Sequence, residues 1–372
     1  MRFGISGQRL AGQRLGVGRY IEYMIKNWDA ILDPNDSIHI YVQEPFDKNA
    51  LNLSDACHVQ HLQSSLKGIF WENLLLPGAS RELDVLFCPS YTVPLAYPGR
   101  CVVAIHSANE AQSGTHPWWY DLTYLQRYKL SARRADKVIV PSESTKNDLL
   151  EHYGISANKV EIVAQGADYA FQPSKDEARK RATRIRYTNM DKPYVLWVGK
   201  LSQRRNIPML LKAFSIVKQE HQIPHNLLLF GPNHLHLPLE QLTGELGITD
   251  SVIQTDGKVS SHQELIDVYN AADLYVNASM YEGFSMTLVE AMACGLPVVV
   301  SNRAALAEIA GGYGYMVDEP GADSFAEAIS KVLCDTELSQ SLRARSIERA
   351  KSYRWDQFAR QTLDILRQVG QS

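Results

Sequence analysis

Residues 279–301, SMYEGFSMTLVEAMACGLPVVVS, place Glu282 and Glu290 eight positions apart where the loop after a strand runs into a helix. The pattern predicts a helix that starts near Thr287 and stops at Gly295 and Pro297. Free N–H groups and the positive dipole end of such a helix favour phosphate, and Gly283 lets backbone come close to a ligand. Two carboxylates beside an anion site make chemical sense as acceptors of hydroxyl hydrogen bonds, one from a sugar and one from a ribose, with a diphosphate on the amides between them. Glu290, expected in the first helical turn, would take the ribose, and Glu282 in the loop would lie near the sugar and phosphate. The plainer alternative is a solvated loop charge at 282 and a carboxylate at 290 that complements the helix dipole.

A diphosphate needs cations, and WVGKLSQRRNIPMLLKAF supplies Lys200, Arg204 and Arg205 in one loop after a strand. Lys200 and Arg205 are the candidates, the guanidinium as a fork and the ammonium as a point charge. The alternative is an exposed basic turn. Earlier in the chain, RLAGQRLGVGRYIEYM puts Gly12, Gly16 and Gly18 between a strand and a helix, an incomplete version of a phosphate-wrapping glycine loop. The strand CVVAI ends at His106, which can bond a sugar hydroxyl or move a proton, or be structural. Finally, HPWWYDLTYLQRYKLSARRADK combines aromatics with Arg127, Lys129, Arg133, Arg134 and Lys137. That composition suits an anionic lipid surface or a phosphorylated acceptor, and equally an amphipathic helix with a solvated basic face.

The elements that must position these residues alternate. Short apolar runs (RFGIS, SIHIYV, DVLFC, CVVAI, KVIV) interleave with helical patterns, then a second series (YVLWV, NLLLF, SVIQT, DLYVN, PVVVS) does the same. This predicts parallel sheets with crossover helices, an α/β chain. With 372 residues the chain is long enough for two domains. The expected division is 1–172, a charged inter-domain segment 173–192, a second domain 193–352, and a terminal helical segment 353–372 packed on the first domain. Open α/β sheets bind ligands at the carboxyl ends of their strands, so the chemistry is expected there.

A net charge of -3 argues against a dedicated nucleic-acid binder. The five cysteines are far apart, with no C-x-x-C pair, which suits a reducing compartment. No secretory apolar core and no run long enough to span a membrane is present, so a cytoplasmic protein is expected, or one peripheral at the inner membrane face.

Together, YEGFSMTLVEAMACGLPVVVS and VGKLSQRRNIPMLLKAF closely resemble family 4 glycosyltransferases, with that family's glutamate, seven residues, glutamate signature intact. VGRYIEYM, ARRADKVIVPSESTKNDL, NKVEIVAQGAD, SHQELIDVYNAADLYVNAS and NRAALAEIAGGYGYMVD extend the likeness over nearly the whole chain. The resemblance implies a GT-B fold: two Rossmann-like domains facing across a cleft, the nucleotide sugar held mostly by the second, and the last helix crossing back to the first. It also implies transfer with retention of configuration, no required metal, and no cofactor beyond the donor. Carried over by position, Glu290 binds the ribose, Glu282 lies beside the donor sugar, and Lys200 and Arg205 hold the diphosphate. The amides of Ser285, Met286, Thr287 and Leu288 complete those contacts, His106 meets the donor sugar, and Gly16 and Gly18 form the glycine loop near the diphosphate. Three departures stand out: Ser107 where many members have aspartate, EGFSMT in place of the common EGFGLP, and Lys200 where arginine is commoner.

GVGRYIEYM is similar to bacterial polysaccharide mannosyltransferases, which favours GDP-mannose over a UDP-hexose. The acceptor is expected to be a saccharide or a lipid-linked saccharide, with contact to an anionic membrane among the expected partners and no nucleic acid. A GT-B epimerase or phosphorylase, and a non-catalytic partner that binds sugar nucleotides, are the rival readings.

Overall fold

The structure, a computed structural model, describes residues 1–10, 16–111 and 118–372. The chain divides into two compact units, one formed by Met1–Gln165 with Trp355–Ser372 and the other by Gly166–Arg354.

In the first unit seven strands form one sheet: β1 Arg2–Ser6, β2 Ser37–Val42, β3 Cys57–His61, β4 Val85–Cys88, β5 Cys101–Ala104, β6 Lys137–Val140 and β7 Val160–Ile162. Their spatial order is β3-β2-β1-β4-β5-β6-β7, and every pairing is parallel. The second unit has six: β8 Tyr194–Val198, β9 Asn226–Phe230, β10 Val252–Thr255, β11 Leu274–Asn277, β12 Val298–Ser301 and β13 Tyr315–Val317. Their order is β10-β9-β8-β11-β12-β13, again all parallel. Strands such as YVLWV, NLLLF and CVVA are buried along their whole length, as parallel strands covered on both faces must be. Both units are therefore Rossmann-like, and the strand order reverses between β1 and β4 and between β8 and β11. The register Leu274↔Val195 and Tyr275↔Leu196 brings the carboxyl ends of β8 and β11 level.

The Trp355–Gln371 helix belongs to the first unit. Its buried stripe of Trp355, Phe358, Ala359, Leu363 and Leu366 faces the Val17–Asp29 helix, which buries Tyr20, Ile21, Met24, Ile25 and Trp28. The Trp28 indole donates to the Ala359 carbonyl at 2.8 Å. Arg367 bridges Asp33 at 2.6 Å and Asp36 at 2.9 Å.

The segment 173–192, expected to lie between domains, instead contributes a helix, Glu177–Thr188, to the second unit. Asp176 caps its first turn by accepting from the Arg179 amide, and Asn189 ends it in the left-handed region at φ 57°. Arg179 pairs with Asp267 and Arg186 with Glu264 on the His262–Asn270 helix. Tyr187 packs edge-on against Phe230 and donates to Glu264 at 2.7 Å, but one aromatic beside exposed ion pairs makes no apolar stripe for hydrophobic periodicity to reveal. The unit boundaries fall at Gln165/Gly166 and Arg354/Trp355. Among the described residues no helix is long and apolar enough to cross a membrane, and all five cysteines are free thiols.

Candidate functional site

In the second unit the two loops that carry the charged motifs leave neighbouring strands, β8 and β11, at the point where strand order reverses. That is where open α/β sheets hold ligands. Three glycines make the strand ends bare. A Cβ on Gly231, after β9, would sit 1.7 Å from the Gly199 carbonyl, and one on Gly257 would sit 2.8 Å from the Gly231 Cα. Gly199, at φ 148°, lies under Arg205, whose Nη1 would be 1.5 Å from any Cβ there. The same guanidinium covers the Trp197 ring at 5.5 Å. Burial pulls the Arg205 pKa down, partly offset by Glu282, and its Nε is buried without a hydrogen-bond partner. Lys200 is exposed, and no described residue pairs with it.

Glu282 is only 5% exposed. One carboxylate oxygen meets Arg204 at 2.5 Å, and the other takes the Ser279 hydroxyl at 3.1 Å and faces Arg205 at 3.5 Å. Burial pushes this carboxyl up, but Arg204, Arg205 and the hydrogen bonds outweigh it and hold the pKa below the ordinary value. Arg204 also donates to the Tyr281 carbonyl at 2.9 Å, and its own carbonyl accepts from the Met280 amide at 2.8 Å. The two loops are thus stitched together by Arg204 and Glu282. Charge and spacing alone do not separate Arg204 from its neighbour; only the fold shows which arginine turns toward the glutamate at shortest range.

Ser285 caps the Met286–Ala293 helix, its hydroxyl accepting from the Leu288 amide at 3.4 Å. Of the four expected amides that of Leu288 is thus taken by the cap, while those of Met286 and Thr287, in the first turn, have no intrahelical acceptor. Thr287 is anchored to the Tyr275 hydroxyl at 2.9 Å, which also accepts from Asn277 at 3.3 Å. Burial pushes the Tyr275 phenol up to about 12, so it stays a neutral donor. Glu290 sits in the second turn, not the first, because the helix begins at Met286. There it is 2% exposed and accepts from the Tyr269 hydroxyl at 2.8 Å.

The remaining candidates lie in the first unit. Gly16, at φ 50°, is the N-cap of the Val17–Asp29 helix, a Cβ on it would meet nothing within 4 Å, and Gly18 is buried in the first turn. Gly12 lies outside the described residues. His106, beyond the end of β5, is partly buried between Tyr20 and Tyr91, both edge-on at 4.6 and 5.4 Å. Its Nε2 lies 2.7 Å from the Pro89 carbonyl and its Nδ1 3.1 Å from the Gln165 amide nitrogen. A carbonyl can only accept, so the proton is on Nε2, and Nδ1 accepts from Gln165. Burial lowers the His106 pKa to about 4, against a smaller opposing effect of Pro89. The ring is neutral near pH 7, and both nitrogens are engaged.

That shift has a sign. A histidine whose native pKa is depressed contributes stability that is present above the ordinary value of about 6.5 and lost as the pH falls toward about 4. Allowing for partial exposure, the loss is about 2 kcal/mol. The expected result is that His106→Gln, which keeps one donor and one acceptor, flattens urea midpoints between pH 7 and pH 4.5. An unchanged pH slope would refute the assignment.

Of the five basic residues expected on one helix, three are engaged within their own unit, and Lys137 stands in β6 rather than on the Trp118–Arg134 helix. Arg133 donates to the Tyr153 carbonyl at 3.1 Å, Arg134 to those of Tyr97 and Gly99, and Lys137 to Asn158 and Glu161. These charges tie the helix and β6 to their own unit. Among the described residues no group of three or more His, Cys, Asp or Glu is arranged to hold a metal.

Comparison with known proteins agrees with the geometry. Residues 179–352 match the family described as glycosyl transferases group 1, and residues 16–171 match glycosyltransferase family 4. The chain is 26% identical over 230 residues to O-antigen chain mannosyltransferase B of Escherichia coli, covering 62% of this chain and 60% of that one. It is 28% identical over 246 residues to D-inositol 3-phosphate glycosyltransferase of Corynebacterium urealyticum, covering 63% and 57%. The matched region thus spans less than two thirds of either relative. Sucrose-phosphate synthase from Thermosynechococcus elongatus superposes with a TM-score of 0.79 at 23% identity, over 99% of this chain and 98% of that one. Anabaena HepE, in complex with UDP-glucose, also gives 0.79, at 16% identity over 99% and 100%. At such identities these structures establish the shared GT-B fold.

Proposed function

The chain belongs to the glycosyltransferases, and from that premise we propose that it moves a hexose from a nucleoside diphosphate sugar to a hydroxyl of a saccharide or lipid-linked saccharide, with retention of configuration. The observation that carries this reading is the pairing of Arg204 and Arg205 with Glu282, which joins the loop after β8 to the loop that leads into the Met286–Ala293 helix at the β8/β11 reversal.

The anomeric C–O bond to the diphosphate breaks while the acceptor oxygen bonds to the same carbon from the same face. The leaving diphosphate oxygen takes the acceptor's proton. Lys200, the Arg205 guanidinium and the Met286 and Thr287 amides stabilise the charge that builds on the diphosphate. Glu290, oriented by Tyr269, accepts from the ribose, and Glu282 acts beside the sugar chiefly by holding Arg204 and Arg205.

GDP-mannose is the preferred donor, in keeping with the mannosyltransferase relative and the GVGRYIEYM segment, and a UDP-hexose comes second. The exposed Phe70, Leu74, Leu95 and Leu130 of the first unit favour an acceptor that carries hydrocarbon. Peripheral membrane contact, on the cytoplasmic side, would rest on these side chains more than on Arg133, Arg134 and Lys137, which are engaged within the unit.

The test is a melting-temperature panel with GDP, UDP and ADP and their sugars, followed by acceptor-dependent release of nucleoside diphosphate. A ligand at 100 times its Kd should stabilise the protein by about 2.7 kcal/mol. GDP and GDP-mannose are expected to give the largest shift; no shift with any nucleotide would overturn the proposal.

A further inference from the structure

Behind the β8/β11 reversal four polar side chains form one hydrogen-bonded run. Asn277 and Tyr275 stand two apart on β11 and so share a face, Thr287 is in the first turn of the Met286–Ala293 helix, and Ser285 is its cap. The Asn277 nitrogen lies 3.3 Å from the Tyr275 hydroxyl, that hydroxyl 2.9 Å from Thr287 Oγ1, and Thr287 3.4 Å from Ser285 Oγ. Asn277, Tyr275 and Ser285 are all buried.

The run has a direction. The Ser279 amide can only donate, so at 3.0 Å it holds the Asn277 side-chain oxygen and turns the NH2 toward Tyr275. Tyr275 therefore accepts from Asn277 and passes its single proton to Thr287, which passes its own to Ser285. Ser285 Oγ also takes the Leu288 amide at 3.4 Å, which fills both lone pairs and leaves the hydroxyl able only to donate. Three hydroxyls share two contacts, so one proton is left over, and polarisation from the Asn277 end puts it on Ser285. Among the described residues none accepts it, although buried polar groups are nearly always paired.

The surroundings select the missing acceptor. Arg205 and Glu282 both act electrostatically on the Tyr275 phenol, so the run lies beside them. Arg204 and Arg205 face a single carboxylate there, which leaves one positive charge over, and the Arg205 Nε is buried without a hydrogen-bond partner. Two unspent donors under a net positive charge fit an oxygen that is negative and only accepts. A sugar hydroxyl brings a proton of its own, which Ser285 cannot take.

We propose that the Ser285 side chain donates to the terminal phosphate of a nucleoside diphosphate, and that Asn277, Tyr275 and Thr287 are positioning residues that keep its proton aimed there. The nucleotide rests on the transfer reading above; the surplus proton does not. Calorimetric titration of the full chain with GDP, GMP, UDP and UMP tests it in wild type, Ser285→Gly, Ser285→Thr, Thr287→Val and Tyr275→Phe. Glycine is itself a good cap, so Ser285→Gly should keep its melting temperature while binding the diphosphate about tenfold more weakly and the monophosphate as before. Ser285→Thr, which keeps both hydroxyl and cap, should restore the affinity. Thr287→Val and Tyr275→Phe should each lower the ratio of diphosphate to monophosphate affinity about threefold, a ratio that general loosening of the helix does not move. If Tyr275→Phe melts early, Thr287→Val reads the same relay through a near-isosteric change. An unchanged ratio in Ser285→Gly overturns the proposal, and so does a loss in Thr287→Val as large as in Ser285→Gly, which would put the surplus proton on Thr287. A wild type that binds none of the four nucleotides overturns the transfer reading as well, whereas diphosphate binding that ignores Ser285 overturns the Ser285 assignment alone.

Discussion

Lys200→Ala is expected to lower kcat by about 100- to 1000-fold while leaving the melting temperature unchanged. The two halves of that expectation have different causes. Lys200 is exposed and unpaired among the described residues, so its removal breaks no native contact. It follows the bare Gly199 at the carboxyl end of β8, where a diphosphate in the proposed site would need a cation. Losing one charge that acts on a leaving group in a dry site costs about 3–4 kcal/mol of barrier. Arg205→Ala should slow turnover comparably, but it also uncovers Trp197 and leaves Glu282 with one cation fewer, so it should lower the melting temperature too. Near-normal turnover of Lys200→Ala under saturating donor would remove the diphosphate assignment.

Arg204→Ala is expected to destabilise the second unit by about 3 kcal/mol and abolish turnover with it. Breaking one side of a buried ion pair leaves the other charge uncompensated, which typically costs about 3–5 kcal/mol; Arg205, 3.5 Å from the same carboxylate, recovers part. A double-mutant cycle with Glu282→Gln checks the origin, because the pair should cost less than the sum of the single variants. Strict additivity would show that Arg204 acts through something other than Glu282. The pH dependence supplies a second check. Since the native Glu282 pKa is depressed, its contribution is present above the ordinary carboxylate value of about 4.3 and is lost as pH falls through the lower native value. In Arg204→Ala that acid-side loss should shrink.

Much of this architecture is legible in the sequence because parallel strands buried on both faces are continuous apolar words. YVLWV, DLYVN and CVVAI can be read as strands directly, and ligand chemistry at their ends follows from topology. The Glu282, Lys200 and Arg205 motifs were legible for the same reason: each follows such a word. The attachment of the Glu177–Thr188 helix to the second unit was not, since it docks by Tyr187 and by the ion pairs of Arg179 and Arg186 and carries no apolar stripe. Glu290 falls in the second turn rather than the first because the Ser285 cap starts the helix at Met286, one residue before the start near Thr287 that the pattern predicts.

The Trp355–Gln371 helix gives the two units different histories. The second unit is one uninterrupted stretch, Gly166–Arg354, and every partner it needs is at hand once that stretch has left the ribosome. The first unit is synthesised earlier yet must wait, with Trp28, Met24 and Ile25 uncovered, until a helix more than 300 residues away arrives to cover them. Closing that distance comes last and is entropically the most demanding step. On that ground the younger half of the chain is expected to become native first, and chaperone demand should fall on the older half, whose apolar face stays open throughout translation.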